Sequence, residues 1–90
     1  MFETYQHFSD LPEDIQRALR DYISLNCHPR KTMNKAQTAY GLKQHFTSTA
    51  KQHITSLCFA EAMKAAGFQV EPIGKDNWIF NIRTVTVLKP

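Results

Sequence analysis

Apolar residues near the start of the chain recur with the period of an α-helix. Asp10 suits the N-cap, Pro12 suits the first turn, and Pro29 disfavours helical backbone at the residue before it. The pattern predicts a first helix over about residues 11–26. Positions i, i+3, i+4, i+7 and i+8 of its apolar face are Ile15, Ala18, Leu19, Tyr22 and Ile23.

A polar stretch follows the first helix, and its composition predicts a connector over residues 28–37. Thr38 then provides an N-cap for a second helix over about residues 39–46. The apolar side of that helix carries Ala39, Leu42 and Phe46.

A third helix is expected after a polar turn over residues 47–52. Either Thr55 or Ser56 serves as its cap, and the apolar period runs over about residues 55–66. Gly67 ends this helix, because glycine adopts the left-handed conformation of the C′ position without steric cost.

Beyond Gly67 the apolar period changes from 3.6 to 2, which is the period of a β-strand. Alternation on both sides of a turn around Gly74 predicts a β-hairpin over about residues 68–83. The inward face of its second strand carries Trp78, Phe80 and Ile82, which are expected in the core. Residues 84–90 are expected to form a tail.

The predicted elements define an α+β fold in which three helices are followed by a β-hairpin, all within a single domain over residues 1–90. Two short helices joined by a turn and closed by a hairpin are typical of a winged helix-turn-helix. A three-helix bundle with an unrelated hairpin has the same order and remains an alternative.

The net charge of +3 is spread unevenly. Residues 22–60 carry five Lys and Arg and no Asp or Glu, whereas the net charge is −3 over residues 1–21 and +1 over residues 61–90. A long stretch without acids favours a surface that meets an anion, most often nucleic acid. A solvated basic surface without a partner is the alternative.

In a winged helix, the third helix enters the major groove, and the turn before it and the hairpin turn contact phosphates. Residues of the connector can reach the phosphate backbone as well. The candidate nucleic-acid-binding residues are Arg30, Lys31, Lys35, Lys43, Lys51, Gln52, His53, Thr55, Ser56, Lys64 and Lys75.

The outward face of the third helix is expected to carry Leu57, Ala60, Glu61 and Lys64. Arg, Asn and Gln, the usual readers of base edges, are absent from this helix. Weak or shape-directed DNA binding is therefore expected rather than tight sequence reading. A face of this kind also suits a protein partner, for which Leu57, Ala60 and Glu61 are the candidate residues.

Three stretches of the chain together resemble a poorly characterised group of small proteins from phages and other mobile elements of Gram-positive bacteria. The stretches cover about residues 38–83 and are Thr38 to Phe46, then Ile54-Thr55 with Phe59, Ala62, Met63, Ala66, Gly67 and Phe68, and finally Asn77-Trp78 with Phe80 and Ile82. The resemblance implies a winged-helix-like fold and a mobile-element setting.

Other chemistry has little support in the sequence. Cys27, His28, His45, His53 and Cys58 lack the paired spacing of zinc ligands, so we expect no metal and no cofactor. No glycine-rich phosphate loop and no orienting group for a nucleophile is present, so we expect no enzyme. No apolar run approaches the length of a membrane span and no signal peptide is recognisable, which predicts a cytoplasmic protein with reduced thiols.

Two functional hypotheses follow. The first is a nucleic-acid-binding accessory or regulatory protein of a phage or mobile element, with double-stranded DNA as its partner. The alternative is a protein that binds and inhibits a host defence nuclease, of the anti-CRISPR or anti-restriction type. Pairing of two copies through the first helix remains open.

Overall fold

A computed structural model describes residues 6–85. Within this range a short 3-10 helix (Phe8–Asp10) precedes three α-helices and a three-stranded antiparallel sheet. In chain order the elements are α1 (Glu13–Asn26), β1 (Pro29–Thr38), α2 (Ala39–Ala50), α3 (Ser56–Ala65), β2 (Val70–Pro72) and β3 (Trp78–Ile82). The α+β class of the fold is as predicted.

Helix α1 begins slightly later than predicted, with Pro12 rather than Asp10 at its N-cap. Asp10 lies instead in the preceding 3-10 helix. Glu13 and Asp14 in the first turn stabilise the positive end of the helix dipole. The helix ends at Asn26, in agreement with the predicted boundary.

Strand β1 corrects the predicted order of elements, because residues 28–37 were expected to form a connector. The strand lies between the first two helices and pairs with β3, so the sheet order is β1-β3-β2. Asn34 is 2% exposed, donates through Nδ2 to the carbonyl of Ile82 at 3.2 Å and accepts the N–H of Ala36 at 2.9 Å. Its side chain thereby bridges an irregularity in the strand register.

Helix α2 is capped as predicted, since the hydroxyl of Thr38 accepts the N–H of Gly41. It continues to Ala50, whereas residues 47–50 were predicted to belong to a turn. Lys51 ends it in the left-handed conformation, with φ of 60°, and donates its N–H to the carbonyl of Thr47.

Helix α3 is bounded by two features that the sequence predicts. The hydroxyl of Thr55 accepts the N–H of Cys58 at 3.1 Å, which identifies Thr55 rather than Ser56 as the N-cap. Gly67 has φ of +97°, and the following N–H of Phe68 reaches the carbonyl of Met63.

The hairpin of β2 and β3 lies within the predicted boundaries, and its register pairs Val70 with Phe80 and Pro72 with Trp78. Val85 belongs to the predicted tail over residues 84–90. It is buried and forms two hydrogen bonds with the side chain of Gln37 in β1. Residues 86–90 of that tail lie outside the described residues.

Aromatic rings form the centre of the core where α1, α2, α3 and β3 meet. Tyr22 packs edge-on against Phe46 and Phe59, with ring centroids 5.5 Å and 6.1 Å apart, and Phe59 contacts Phe80. Such pairs each contribute about 0.5–1.5 kcal/mol beyond the burial of their area. The Tyr22 hydroxyl lies 2.8 Å from Nδ1 of His45, and burial raises the pKa of Tyr22.

Candidate functional site

Three candidate cations, Arg30, Lys31 and Lys35, lie on β1, which is an edge strand of the sheet. Lys31 and Lys35 are exposed. Arg30 is half-buried because its guanidinium folds back and donates to the carbonyls of Thr32 and Met33. The edge therefore offers two lysines to solvent, together with a guanidinium that is partly engaged by its own strand.

Arg83 is an exposed cation that the sequence reasoning did not include. Its N–H donates to the carbonyl of His28 at 2.8 Å, and Pro29 pairs with Ile82. Arg83 therefore lies beside the start of β1 and extends the basic edge. Only the pairing of β1 with β3 brings these residues together, and a predicted connector gave no indication of that pairing.

Lys43 was expected to contact phosphate, but the structure buries it. The residue is 9% exposed, and its Nζ lies 5.1 Å from the centre of the Tyr40 ring. This is the geometry of a cation–π interaction. Its aliphatic stem is packed into the fold, so the ammonium has limited access to a ligand.

The turn between α2 and α3 presents Lys51 and His53 to solvent, while Gln52 is half-buried. Lys75 is exposed on the β2–β3 turn, next to Asp76. Asp76 lines a cavity of about 440 Å³ together with Thr55 and Ser56. The hairpin turn and the N-terminus of α3 therefore lie at the same end of the molecule, which brings several of the candidate residues close together.

The predicted outward position of Ala60 is wrong, because this residue is 3% exposed and belongs to the core. The N-terminal 3-10 helix packs against α3, and Phe8 joins the apolar cluster that contains Ala60. Helical periodicity within α3 cannot indicate this contact, since the covering residues are about fifty positions away in the sequence.

Glu61 joins the 3-10 helix to α3 and is not a free acid on the helix surface. Its Oε2 lies 2.9 Å from Nδ1 of His7, and its Oε1 accepts the N–H of Phe8 at 2.8 Å. Partial burial acts to raise the pKa of Glu61, but these two hydrogen bonds outweigh it and lower the pKa. The hydrogen bond to Glu61, reinforced by its negative charge, raises the pKa of His7.

An apolar groove of about 510 Å³ runs between α3 and the hairpin. Leu57 and Trp78 line both this groove and the cavity at the N-terminus of α3, so the two lie side by side. Trp78 was predicted in the core, but its ring is half-buried in the groove wall. The other apolar lining residues are Ala60, Phe68, Val70 and Pro72, and the candidate cation Lys64 lies at the rim.

The five Cys and His residues considered as metal ligands are dispersed. Cys27 and Cys58 are buried, and burial raises the pKa of the Cys27 thiol to about 12. His45 is engaged by Tyr22, whereas His28 and His53 are exposed. Within residues 6–85 no group of three His, Cys, Asp or Glu side chains is arranged to hold a metal ion.

No helix in the part of the chain that the structure describes is both long and apolar enough to cross a membrane. Searches against protein-family models, curated proteins and solved structures find no match for this chain.

Proposed function

We propose that this chain is a winged-helix protein that binds double-stranded DNA through the phosphate backbone. The observation that carries the proposal is the order α1-β1-α2-α3-β2-β3 combined with the sheet order β1-β3-β2. In this proposal α2 and α3 form the helix-turn-helix pair, and β2 and β3 form the wing. It is supported by the position of the β2–β3 turn close to the N-terminus of α3.

The charge of the exposed side chains supports contact with phosphates. Lys51 precedes α3, Lys64 lies on α3 and Lys75 lies on the hairpin turn, and all three are exposed. Each lysine attracts the DNA backbone irrespective of sequence. Because Glu61 is engaged by His7 and Phe8, the main acidic group of α3 is partly compensated.

Sequence-independent binding is favoured over base reading. Helix α3 contains no Arg, Asn or Gln, which are the usual readers of base edges, and Lys64 is its one cation. Leu57 lines an apolar groove and Ala60 is buried, so neither offers a polar group to a base edge. We therefore propose an accessory or regulatory DNA-binding protein that acts in the cytoplasm and without catalysis. Its setting in a phage or mobile element rests on the resemblance noted above.

Fluorescence anisotropy with two unrelated DNA duplexes tests this role. We expect equal affinity for both duplexes and a linear fall of log affinity with log salt concentration. Phosphate contacts by the three lysines Lys51, Lys64 and Lys75 predict an affinity loss of about fortyfold between 50 and 200 mM salt. Absence of binding at about 50 mM salt, where phosphate contacts are strongest, would contradict the proposal.

A second candidate function is protein binding, as in an inhibitor of a host defence nuclease. The apolar groove beside α3 favours it, because half-buried Leu57 and Trp78 present apolar surface where a DNA-reading helix carries polar groups. In this role the basic surface attracts an acidic partner or excludes DNA from it.

A further inference from the structure

Residues 6–10 lie along the outward face of α3, and we call them the N-terminal strap. Gln6 lines the same cavity of about 440 Å³ as Leu57, which belongs to the first turn of the helix. Ser9 lines a second cavity, of about 340 Å³, together with Ala65 at the end of the helix. The strap therefore extends from the first turn of α3 to its last turn.

The contacts that hold the strap on α3 centre on Glu61 and Phe8. Glu61 accepts the N–H of Phe8 at 2.8 Å, and its other oxygen lies 2.9 Å from Nδ1 of His7. Phe8 packs against the apolar core but is only half-buried, and no residue of the 3-10 helix is fully buried. Leu11, directly after the strap, is 3% exposed and anchors the chain in the core. A segment with so little buried area opens at a low free-energy cost, and Leu11 keeps α1 in place when it does.

The strap covers the face of α3 that the proposed function places in the major groove of DNA. That groove is about 12 Å wide, and an α-helix with its side chains is about 10–12 Å across. One helix therefore fills the groove, and α3 with the strap on its outward face is too thick to enter. Ser9 shares its cavity with Lys64, and Gln6 shares its cavity with Asp76, the neighbour of Lys75 in the hairpin turn. Two of the lysines proposed to contact phosphates are thus close to the strap.

We propose that the N-terminal strap is an autoinhibitory contact, and that it leaves α3 when this helix enters the major groove. This inference rests on the DNA binding proposed above and adds its regulation. Release of the strap separates Glu61 from His7 and Phe8, so the exposed carboxylate is a second cost of opening. The apparent affinity for DNA is then the intrinsic affinity multiplied by the fraction of the protein in the open state.

Phe8→Ala tests the strap without a change of charge. Loss of the ring increases the open fraction and is expected to raise duplex affinity about fivefold, at about 50 and about 200 mM salt alike, because release of the strap displaces no counterions. Phe68→Ala is the matched control, since it removes a half-buried ring from the same core but lies outside the strap. We expect it to leave DNA affinity unchanged. Fluorescence anisotropy with the two duplexes measures both variants.

Glu61→Gln keeps the proposal testable if Phe8→Ala does not fold, because the Glu61 side chain is 37% exposed. The neutral amide holds His7 and Phe8 less strongly than the carboxylate does, so the open fraction increases. Glu71→Gln on β2 removes the same charge outside the strap. Salt screens a gain that comes from charge alone, so at about 200 mM salt a gain of about threefold is expected to persist in Glu61→Gln and not in Glu71→Gln.

Hydrogen exchange of the Phe8 N–H reports the position of the strap directly, because this group donates to Glu61 when the strap is closed. We expect exchange at least about threefold faster when the protein is saturated with duplex. The N–H of Cys27, which donates to the carbonyl of Ile23 in α1, is the internal control and is expected to be unaffected.

Two results would overturn the autoinhibitory role and leave DNA binding intact. They are equal duplex affinities of the wild-type chain, Phe8→Ala and Glu61→Gln at about 200 mM salt, and a Phe8 N–H that exchanges no faster in the complex. Failure of the wild-type chain and of both strap variants to bind duplex at about 50 mM salt is a different outcome. It would contradict the proposed DNA binding itself, and the regulation with it.

Discussion

The ammonium of Lys43 lies over the Tyr40 ring, and only 9% of the residue is exposed. In the sequence Lys43 is one of five cations in a stretch without acids, and its place in a predicted helix does not by itself indicate that it is buried while Lys31 and Lys35 are exposed. The structure separates them, because Lys31 and Lys35 extend from an edge strand while the stem of Lys43 packs within α2. A charge reversal at Lys43 is therefore expected to lower the stability of the fold as well as to change the surface charge.

Substitution of Lys43 is expected to affect stability according to what replaces the ammonium. Lys43→Met keeps the apolar stem and loses the cation–π contact, at a cost of about 0.5–1 kcal/mol. Lys43→Glu puts a carboxylate in the same poorly solvated position and lowers the free energy of unfolding by about 2 kcal/mol. Urea denaturation measures both values.

Lys35→Glu is the matched control for these variants, since Lys35 is exposed and the expected change is within about 0.5 kcal/mol. If Lys43→Glu were no more destabilising than Lys35→Glu, the ammonium of Lys43 would be solvated and the packing described for it would be wrong.

At the scale of elements, the 3-10 helix and α3 are joined by Glu61, which contacts both His7 and Phe8. This contact determines how much of α3 is open to a ligand, because the covered part includes Ala60.

The pair of His7 and Glu61 responds both to rising and to falling pH. The pKa of His7 is raised above 6.5. The contribution of His7 to the free energy of unfolding is therefore complete below pH 6.5, and it is lost as the pH rises through the pKa of His7 in the folded state. The pKa of Glu61 is lowered below 4.5, so its contribution is lost only in stronger acid.

Glu61→Gln is expected to return the pKa of His7 towards 6.5, because the hydrogen bond and the negative charge that raise it are weakened or removed. An NMR titration of the His7 ring proton measures this change. Glu71 on β2 provides a control, since Glu71→Gln should leave the His7 titration unchanged. A His7 pKa that is equal in the wild-type chain and in Glu61→Gln would show that the two side chains do not pair in solution.

The elements that the sequence predicts are those with local signals. Thr38 and Thr55 cap α2 and α3 through their own hydroxyls, and Gly67 ends α3 at positive φ. Alternation likewise predicts the hairpin. Strand β1 has no such signal, since its residues are mostly polar and its stability comes from pairing with β3 and from the amide of Asn34. A polar edge strand is therefore indistinguishable from a connector in the sequence.

The candidate site shows the same division. Exposure of Lys51 and Lys75 follows from their positions in turns, which the sequence predicts. Burial of Ala60, compensation of Glu61 and the position of Arg83 beside β1 depend on contacts between distant segments. Apolar periodicity assigns one inward face to a helix, and it cannot indicate that a second segment covers the other face.

At the scale of the whole molecule, the exposed cations considered for DNA binding form two groups, apart from Arg17 and Arg20 on α1. The sheet edge carries Lys31 and Lys35, with Arg83 beside them, whereas the α3 and hairpin side carries Lys51 and Lys75. Net charge alone cannot tell which surface meets DNA, because both attract phosphate at long range. Only cations that contact phosphates release counterions, and the salt dependence of binding counts those contacts.

Charge reversal on the two surfaces is expected to give unequal results. Docking as a winged helix predicts that the double variant Lys51→Glu/Lys75→Glu binds about tenfold or more weakly. It also makes the negative slope of log affinity against log salt less steep by about two. The matched double variant Lys31→Glu/Lys35→Glu has the same net charge and is expected to change the slope little. Anisotropy titrations at three salt concentrations measure both. A larger effect of the Lys31 and Lys35 pair would move the DNA to the sheet edge and contradict docking through α3, whereas equal effects would indicate attraction without a defined interface.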